Sequence, residues 1–141
     1  MQKRIDVCAA VIERADGHFL MTARPEGKQH AGIWEFPGGK NLSGENDHDC
    51  VVREIREELA IDVIPEKLLF ETSHDYPGKS VHLKFWKARM IDESQVLQAL
   101  DEQQIAWFGT DEMNEIEILP ADLEFIGFLS ELKSCESQGN R

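Results

Sequence analysis

Apolar residues along the chain fall into short blocks whose spacing switches between the period of strands and that of helices. Residues 5–13 are rich in Val, Ile and Ala without regular polar alternation, the pattern of a strand covered on both faces. Asp16-Gly17 predicts a turn and residues 18–23 the returning strand, so the chain is expected to open with a hairpin. Residues 24–44 carry Gly and Pro around the apolar island Ile33-Trp34-Glu35-Phe36, a stretch too irregular for a helix but long enough to wrap a site. Val51, Val52, Ile55 and Leu59 then recur at helical spacing with no Gly or Pro between them, predicting a helix over 47–60 capped by Asn46 or Asp47.

Residues 68–76 and 81–91 read as strands joined by a tight turn at Tyr76-Pro77-Gly78-Lys79, where Pro then Gly suits the two central positions. The acidic stretch 94–103 shows no period, 105–108 reads as a short strand, and Asp111 is placed to cap a helical turn. Residues 120–133 predict a second amphipathic helix, entered at Pro120, with Leu123, Ile126, Phe128, Leu129 and Leu132 apolar, followed by a frayed tail from about 134. No repeat or linker interrupts this order. The expectation is one domain over 1–141, a mixed β-sheet sandwiched between α-helices, in the α/β or α+β class.

Composition narrows the function classes. With 141 residues, 41% hydrophobic and 30% charged, the chain can bury a core, which excludes disorder and fibrous repeats. Fifteen Lys and Arg against 27 Asp and Glu leave a net charge of −12, a surface that repels a nucleic-acid polymer. A small polyanion can still bind where divalent cations stand between it and carboxylates at ligand spacing. The apolar run 7–12 is too short for a membrane span or a signal core. Cys8, Cys50 and Cys135 are odd in number and widely separated, matching a reducing, cytoplasmic setting, and His18, His30, His48, His74 and His82 show no metal spacing.

Candidate chemistry sits on the first helix. At roughly 100° per residue, Glu54, Glu57 and Glu58 fall on one stripe away from the apolar arc. Like charges at this spacing repel by a few tenths of a kcal/mol per pair (about 0.2–0.5), a cost that a bound divalent cation turns into attraction. A solvated face eased by Arg53 and Arg56 explains the spacing equally well.

The wider string from Gly39 through Glu45 to Arg53-Glu54-Ile55-Arg56-Glu57-Glu58-Leu59-Ala60-Ile61 resembles the Nudix box, the loop–helix–loop signature of Nudix hydrolases, at every specified position except Ala60, where the signature has Gly. Without that Gly the helix is expected to exit differently. Trp34-Glu35-Phe36-Pro37-Gly38-Gly39-Lys40 and Leu119-Pro120-Ala121-Asp122 are similar to the MutT-type and CTP pyrophosphohydrolase groups of the family. The resemblance implies hydrolysis of a nucleoside triphosphate to the monophosphate and diphosphate, with Mg²⁺ or Mn²⁺ as cofactor.

It further implies Glu54, Glu57, Glu58 and the Gly38 carbonyl as metal ligands, Glu54 also as base, Arg53 orienting Glu54, Glu45 supporting the site, and Asp101 or Glu102 as a later carboxylate. Arg24, Phe36, Phe85 and Asp122 fall where the nucleobase is contacted; Asp in place of the MutT Asn at 122 leaves both cytosine and 8-oxo-guanine open. The implied partner is a small nucleotide, acted on by a monomer or homodimer. Pro77 keeps an ADP-ribose or dinucleotide polyphosphate hydrolase as an alternative, and a catalytically silent nucleotide-binding domain is the alternative of another class.

Overall fold

The structure is a computed structural model that describes residues 3–29 and 31–139; His30 lies outside the described residues. In chain order it contains β1 (Lys3–Ile12), β2 (Phe19–Ala23), β3 (Trp34–Glu35), β4 (Gly38–Lys40), α1 (Asp47–Leu59), β5 (Val63–Tyr76), β6 (Lys79–Met90), β7 (Gln104–Phe108), a 3₁₀ turn (Glu112–Glu115) and α2 (Pro120–Gly139). One sheet runs in the order β4-β1-β6-β5 and a second in the order β3-β2-β7; β1 and β6 are parallel and the other pairs antiparallel.

The central strand β1 explains the layering. Ala9 and Val11 on one face join Phe19, Met21, Phe36, Phe85, Phe125 and Leu129, the core beneath α2, whereas Cys8, Ala10 and Ile12 on the other join Val51, Ile55 and Leu59 of α1. Each fully buried aliphatic side chain of that second cluster contributes about 1.5–3 kcal/mol. Both faces of β1 are therefore covered, as its continuous apolar run predicts.

The opening hairpin does not form as expected. Both edges of β1 are occupied, by β4 and β6, so β2 pairs within the other sheet, and the two arms of the expected hairpin are joined by the isolated bridge Glu13–Phe19 just past the end of β1. The second hairpin forms as expected: Tyr76 pairs with Lys79 across Pro77 and Gly78, the latter at φ +81°. Its first strand starts earlier than the pattern predicts because β5 is an edge strand, where Pro65 is tolerated beside a register shift.

Helix α1 begins as predicted, Asn46 Oδ1 accepting from the Asp49 N–H at 2.8 Å. Contrary to expectation it also exits in the ordinary way: Ala60 adopts the left-handed conformation, φ 58° and ψ 30°, and donates to the Arg56 carbonyl at 3.1 Å. The unclassified acidic stretch caps the same end. Gln98 and Leu100 N–H donate to the Leu59 and Glu58 carbonyls at 3.0 and 3.1 Å, and Gln103 Nε2 adds a bond to Glu58 O at 3.1 Å.

Asp111 makes no side-chain cap; the Glu112 carboxylate accepts from the Gly109 N–H instead. Helix α2 continues to Gly139, beyond the expected end. Its buried face is Ala121, Asp122, Phe125, Ile126 and Leu129, with Leu123 exposed, a correction to the predicted apolar stripe. Cys8 and Cys50 are buried and Cys135 is exposed. No described helix is long and apolar enough to cross a membrane.

Candidate active site

Arg53 organises the box. Its Nε and Nη2 grip both oxygens of Glu45, at 2.7 and 2.9 Å, Nη2 also reaches the Lys40 carbonyl at 2.9 Å, and Nη1 holds Glu54 Oε1 at 2.9 Å and Glu57 Oε2 at 3.0 Å. A planar guanidinium serves these five oxygens because its donors are fixed in a fork. Glu45 accepts from the Leu42 N–H as well, and these bonds hold its carboxyl down at about 2. It therefore braces the loop and Arg53, and the Arg53–Glu54 bond is the contact that the expected orienting role needs.

The three box glutamates do not share one environment. Glu54 is sunk at 15% side-chain exposure against 60% for Glu57, so the stripe that the helical spacing predicts is not solvated along its whole length. The Glu54 carboxylate packs from α1 against β4: a Cβ on Gly39 would stand 2.3–2.6 Å from its atoms. Gly38 is equally constrained, since its Cβ would stand 2.1 Å from the Cys8 backbone oxygen across the β1–β4 pair. Close approach of helix, strand and loop is why both positions are glycine.

Glu58 faces a cleft of about 600 Å³ shared with Arg24, Gln29, Glu35, Gly38, Asp101 and Gln103. Burial first, then the charges of Glu54, Glu35 and Asp101, push its carboxyl up to about 8, a hydrogen bond from the Gly38 N–H working the other way. Of the two late carboxylates, Asp101 lines the cleft; Glu102 occupies a left-handed turn position at φ 60° and does not.

Arg24, Gln29, Glu35 and Gly38 also line a second lobe of about 410 Å³, with Phe36, Tyr76, Leu83 and Asp122 among its walls. Asp122, only 3% exposed, accepts from the Phe36 N–H at 2.9 Å, and burial holds its carboxyl up at about 7. Phe36 borders this lobe, 3% exposed. Phe85, expected at the base, is instead fully buried and stacked on Phe125 with centroids 4.2 Å apart. It backs Phe36 edge-on at 6.0 Å. Its strand alternates, and Leu83, two residues earlier, is the neighbour that borders the lobe.

Sequence reasoning missed Glu35, Tyr76, Gln29 and Gln103 as site residues. The available signal was positional: Glu35 lies inside the similar Trp34-to-Lys40 string, and Tyr76 opens the hairpin turn.

Among the described residues, no three His, Cys, Asp or Glu side chains converge closely enough to ligate one ion. The chemistry of the lobe nonetheless fits a hard divalent cation. Glu58 is surrounded by the negative charge of Glu54, Glu35 and Asp101, and every donor is an oxygen.

A family model described as NUDIX domain matches residues 8–127. The chain is 34% identical to the CTP pyrophosphohydrolase of Escherichia coli K12, over 94% of this chain and 96% of that protein. It is 32% identical to the 8-oxo-dGTP diphosphatase of Proteus vulgaris, over 65% of this chain and 87% of that protein. Among solved structures, the E. coli ORF135 protein superimposes with a TM-score of 0.82 at 34% identity, covering 95% and 94% of the two chains. The MutT protein of Methanosarcina mazei Go1 shares the fold at a TM-score of 0.80 and 24% identity, over 94% and 96%. A box whose one departure, Ala60, adopts the left-handed backbone conformation that glycine favours, inside a domain matched nearly end to end, places the chain in the Nudix hydrolase family.

Proposed function

We propose that the chain is a MutT-type pyrophosphohydrolase that converts a nucleoside triphosphate and water to the monophosphate and diphosphate, acting on (d)CTP or 8-oxo-dGTP in the cytoplasmic nucleotide pool as a monomer or homodimer. The observation that carries this reading is the two-lobed cleft: an acidic lobe around Glu58 and Asp101 opens into a lobe walled by Phe36, Leu83, Tyr76 and Asp122, the two sharing four residues. A triphosphate fits the first and a base the second.

Glu54, Glu57, Glu58, Asp101 and the Gly38 carbonyl would hold the divalent cations, Mg²⁺ or Mn²⁺, which would supply neutralisation of phosphate charge and activation of water. The remaining work belongs to the chain. Arg53 pins Glu54 by Oε1, so its carboxylate is oriented to take the proton of the attacking water. Glu45 keeps Arg53 in place, and Arg24 stands over the shared wall where it can stack on a base or meet a phosphate. Asp122, bonded to the Phe36 N–H, presents its carboxyl to the base edge: ionised it accepts from the cytosine amine, protonated it can also donate to an oxidised purine.

The test is a panel of CTP, dCTP, 5-methyl-dCTP, 8-oxo-dGTP, ADP-ribose and a dinucleotide polyphosphate, with products identified and a chelator control. Monophosphate and diphosphate from a triphosphate, abolished by chelator and restored by Mg²⁺ or Mn²⁺, is the expected result. Turnover in excess chelator, or preference for ADP-ribose, would overturn the proposal.

A further inference from the structure

Glu35 is the acidic residue of the cleft that catalysis and base recognition leave without a task. It sits on β3, whose neighbours fix its place: Thr22 pairs with it across β2, and the preceding Trp34 exchanges bonds with Glu117 O at 2.8 Å and Leu119 N at 2.9 Å. The side chain is 22% exposed, and its Oε2 is buried with no hydrogen-bond partner among the described residues. Leaving a buried carboxylate oxygen unpaired carries a desolvation penalty that is removed when a donor arrives.

Position tells what that donor is. Glu35 lines both lobes of the cleft, and its charge is felt by Glu58 on the phosphate side and by Asp122 and Tyr76 on the base side. In any nucleoside triphosphate the covalent order is base, sugar, phosphate, so a group between the two lobes lies beside the sugar. Arg24 Nε already stands 3.9 Å from Oε2, and that positive charge opposes a second cation at the same oxygen while leaving a neutral hydroxyl welcome.

We propose that Glu35 is the sugar-reading residue, its carboxylate accepting a hydrogen bond from a furanose hydroxyl of the bound nucleotide. This rests on the nucleoside triphosphate reading. The bond lies between ionic and neutral partners, so a substrate lacking the hydroxyl should lose about ten- to a hundredfold in kcat/KM. The assay compares CTP, dCTP and 2′,3′-dideoxy-CTP, or the same sugars on 8-oxo-guanine where that base is preferred, for wild type and Glu35→Gln, with Mn²⁺ affinity measured by electron paramagnetic resonance.

A drop between the ribo and deoxy substrates assigns the 2′-hydroxyl, and one between deoxy and dideoxy the 3′-hydroxyl. Glu35→Gln is expected to shrink that drop severalfold, mainly through KM, with Mn²⁺ affinity unchanged. Equal turnover of all three sugars by wild type would overturn the proposal, as would undiminished sugar discrimination in Glu35→Gln. Weakened Mn²⁺ binding with a uniform loss of kcat would overturn it too, making Glu35 a metal ligand. Wild type that hydrolyses no triphosphate at all would instead refute the functional reading beneath it.

Discussion

Asp122→Asn is expected to make the protein more stable above neutral pH while leaving its stability near pH 4 almost unchanged. Burial holds the Asp122 carboxyl at about 7, whereas in the unfolded chain it titrates at its ordinary 3.8. Between these values the folded state binds the extra proton, so stability falls as pH rises through that window. At 1.36 kcal/mol per pH unit the full loss is ~4 kcal/mol above pH 7, and relaxation of the buried site brings the expected figure to about 2–4 kcal/mol. Asn has no proton to lose, and its amide oxygen can keep the 2.9 Å bond from the Phe36 N–H. Carboxyls held below their ordinary range, such as those of Asp16, Glu45 and Asp47, add stability that disappears only as pH falls below about 4, and they cancel in the comparison. Urea unfolding followed by circular dichroism from pH 4 to 8.5, with chelator present, gives the difference between the two proteins directly. If that difference is flat across the range, the side chain does not titrate as its burial requires, and the account of the base lobe fails with it.

The box itself can be probed at four positions. Glu54→Gln and Glu57→Gln should each lower kcat by at least about a hundredfold with the circular dichroism spectrum intact; near-normal rates would return these residues to a solvated face. Gly39→Ala should lower kcat at least tenfold, about 1.4 kcal/mol in the barrier, by displacing the Glu54 carboxylate that lies 2.3–2.6 Å from the added Cβ, and an unchanged rate would show that Glu54 can move freely. Ala60→Gly should raise stability by about 0.5–1 kcal/mol in chemical denaturation, because Ala carries a Cβ penalty at φ 58° that exceeds the extra flexibility of unfolded Gly, and kcat should not change.

Features that depend on residues a few positions apart are legible in the sequence by itself. Helical geometry alone puts Arg53 within reach of its neighbour Glu54 and of Glu57 one turn on, Asn46 caps the helix three residues before Asp49, and Pro77-Gly78 closes a hairpin between adjacent strands. For each of these, side-chain chemistry and backbone preference suffice. The pairing of β1 is not legible in this way: its run predicts two covered faces, but that its edges belong to β4 and β6 rather than β2 depends on strands up to the far side of the domain. The same limit applies to the cleft. Glu58 becomes a strongly perturbed acid, and Asp101 rather than Glu102 faces it, because the 95–103 loop folds onto the end of α1. Phe85 leaves the base lobe for the core because Phe125, forty residues later, offers its ring face. Glu35 and Asp122, remote in sequence, meet around Phe36 only when β3 and the start of α2 are brought together. Burial and charge at these positions are sums over neighbours from distant parts of the chain, and only the tertiary structure supplies those neighbours.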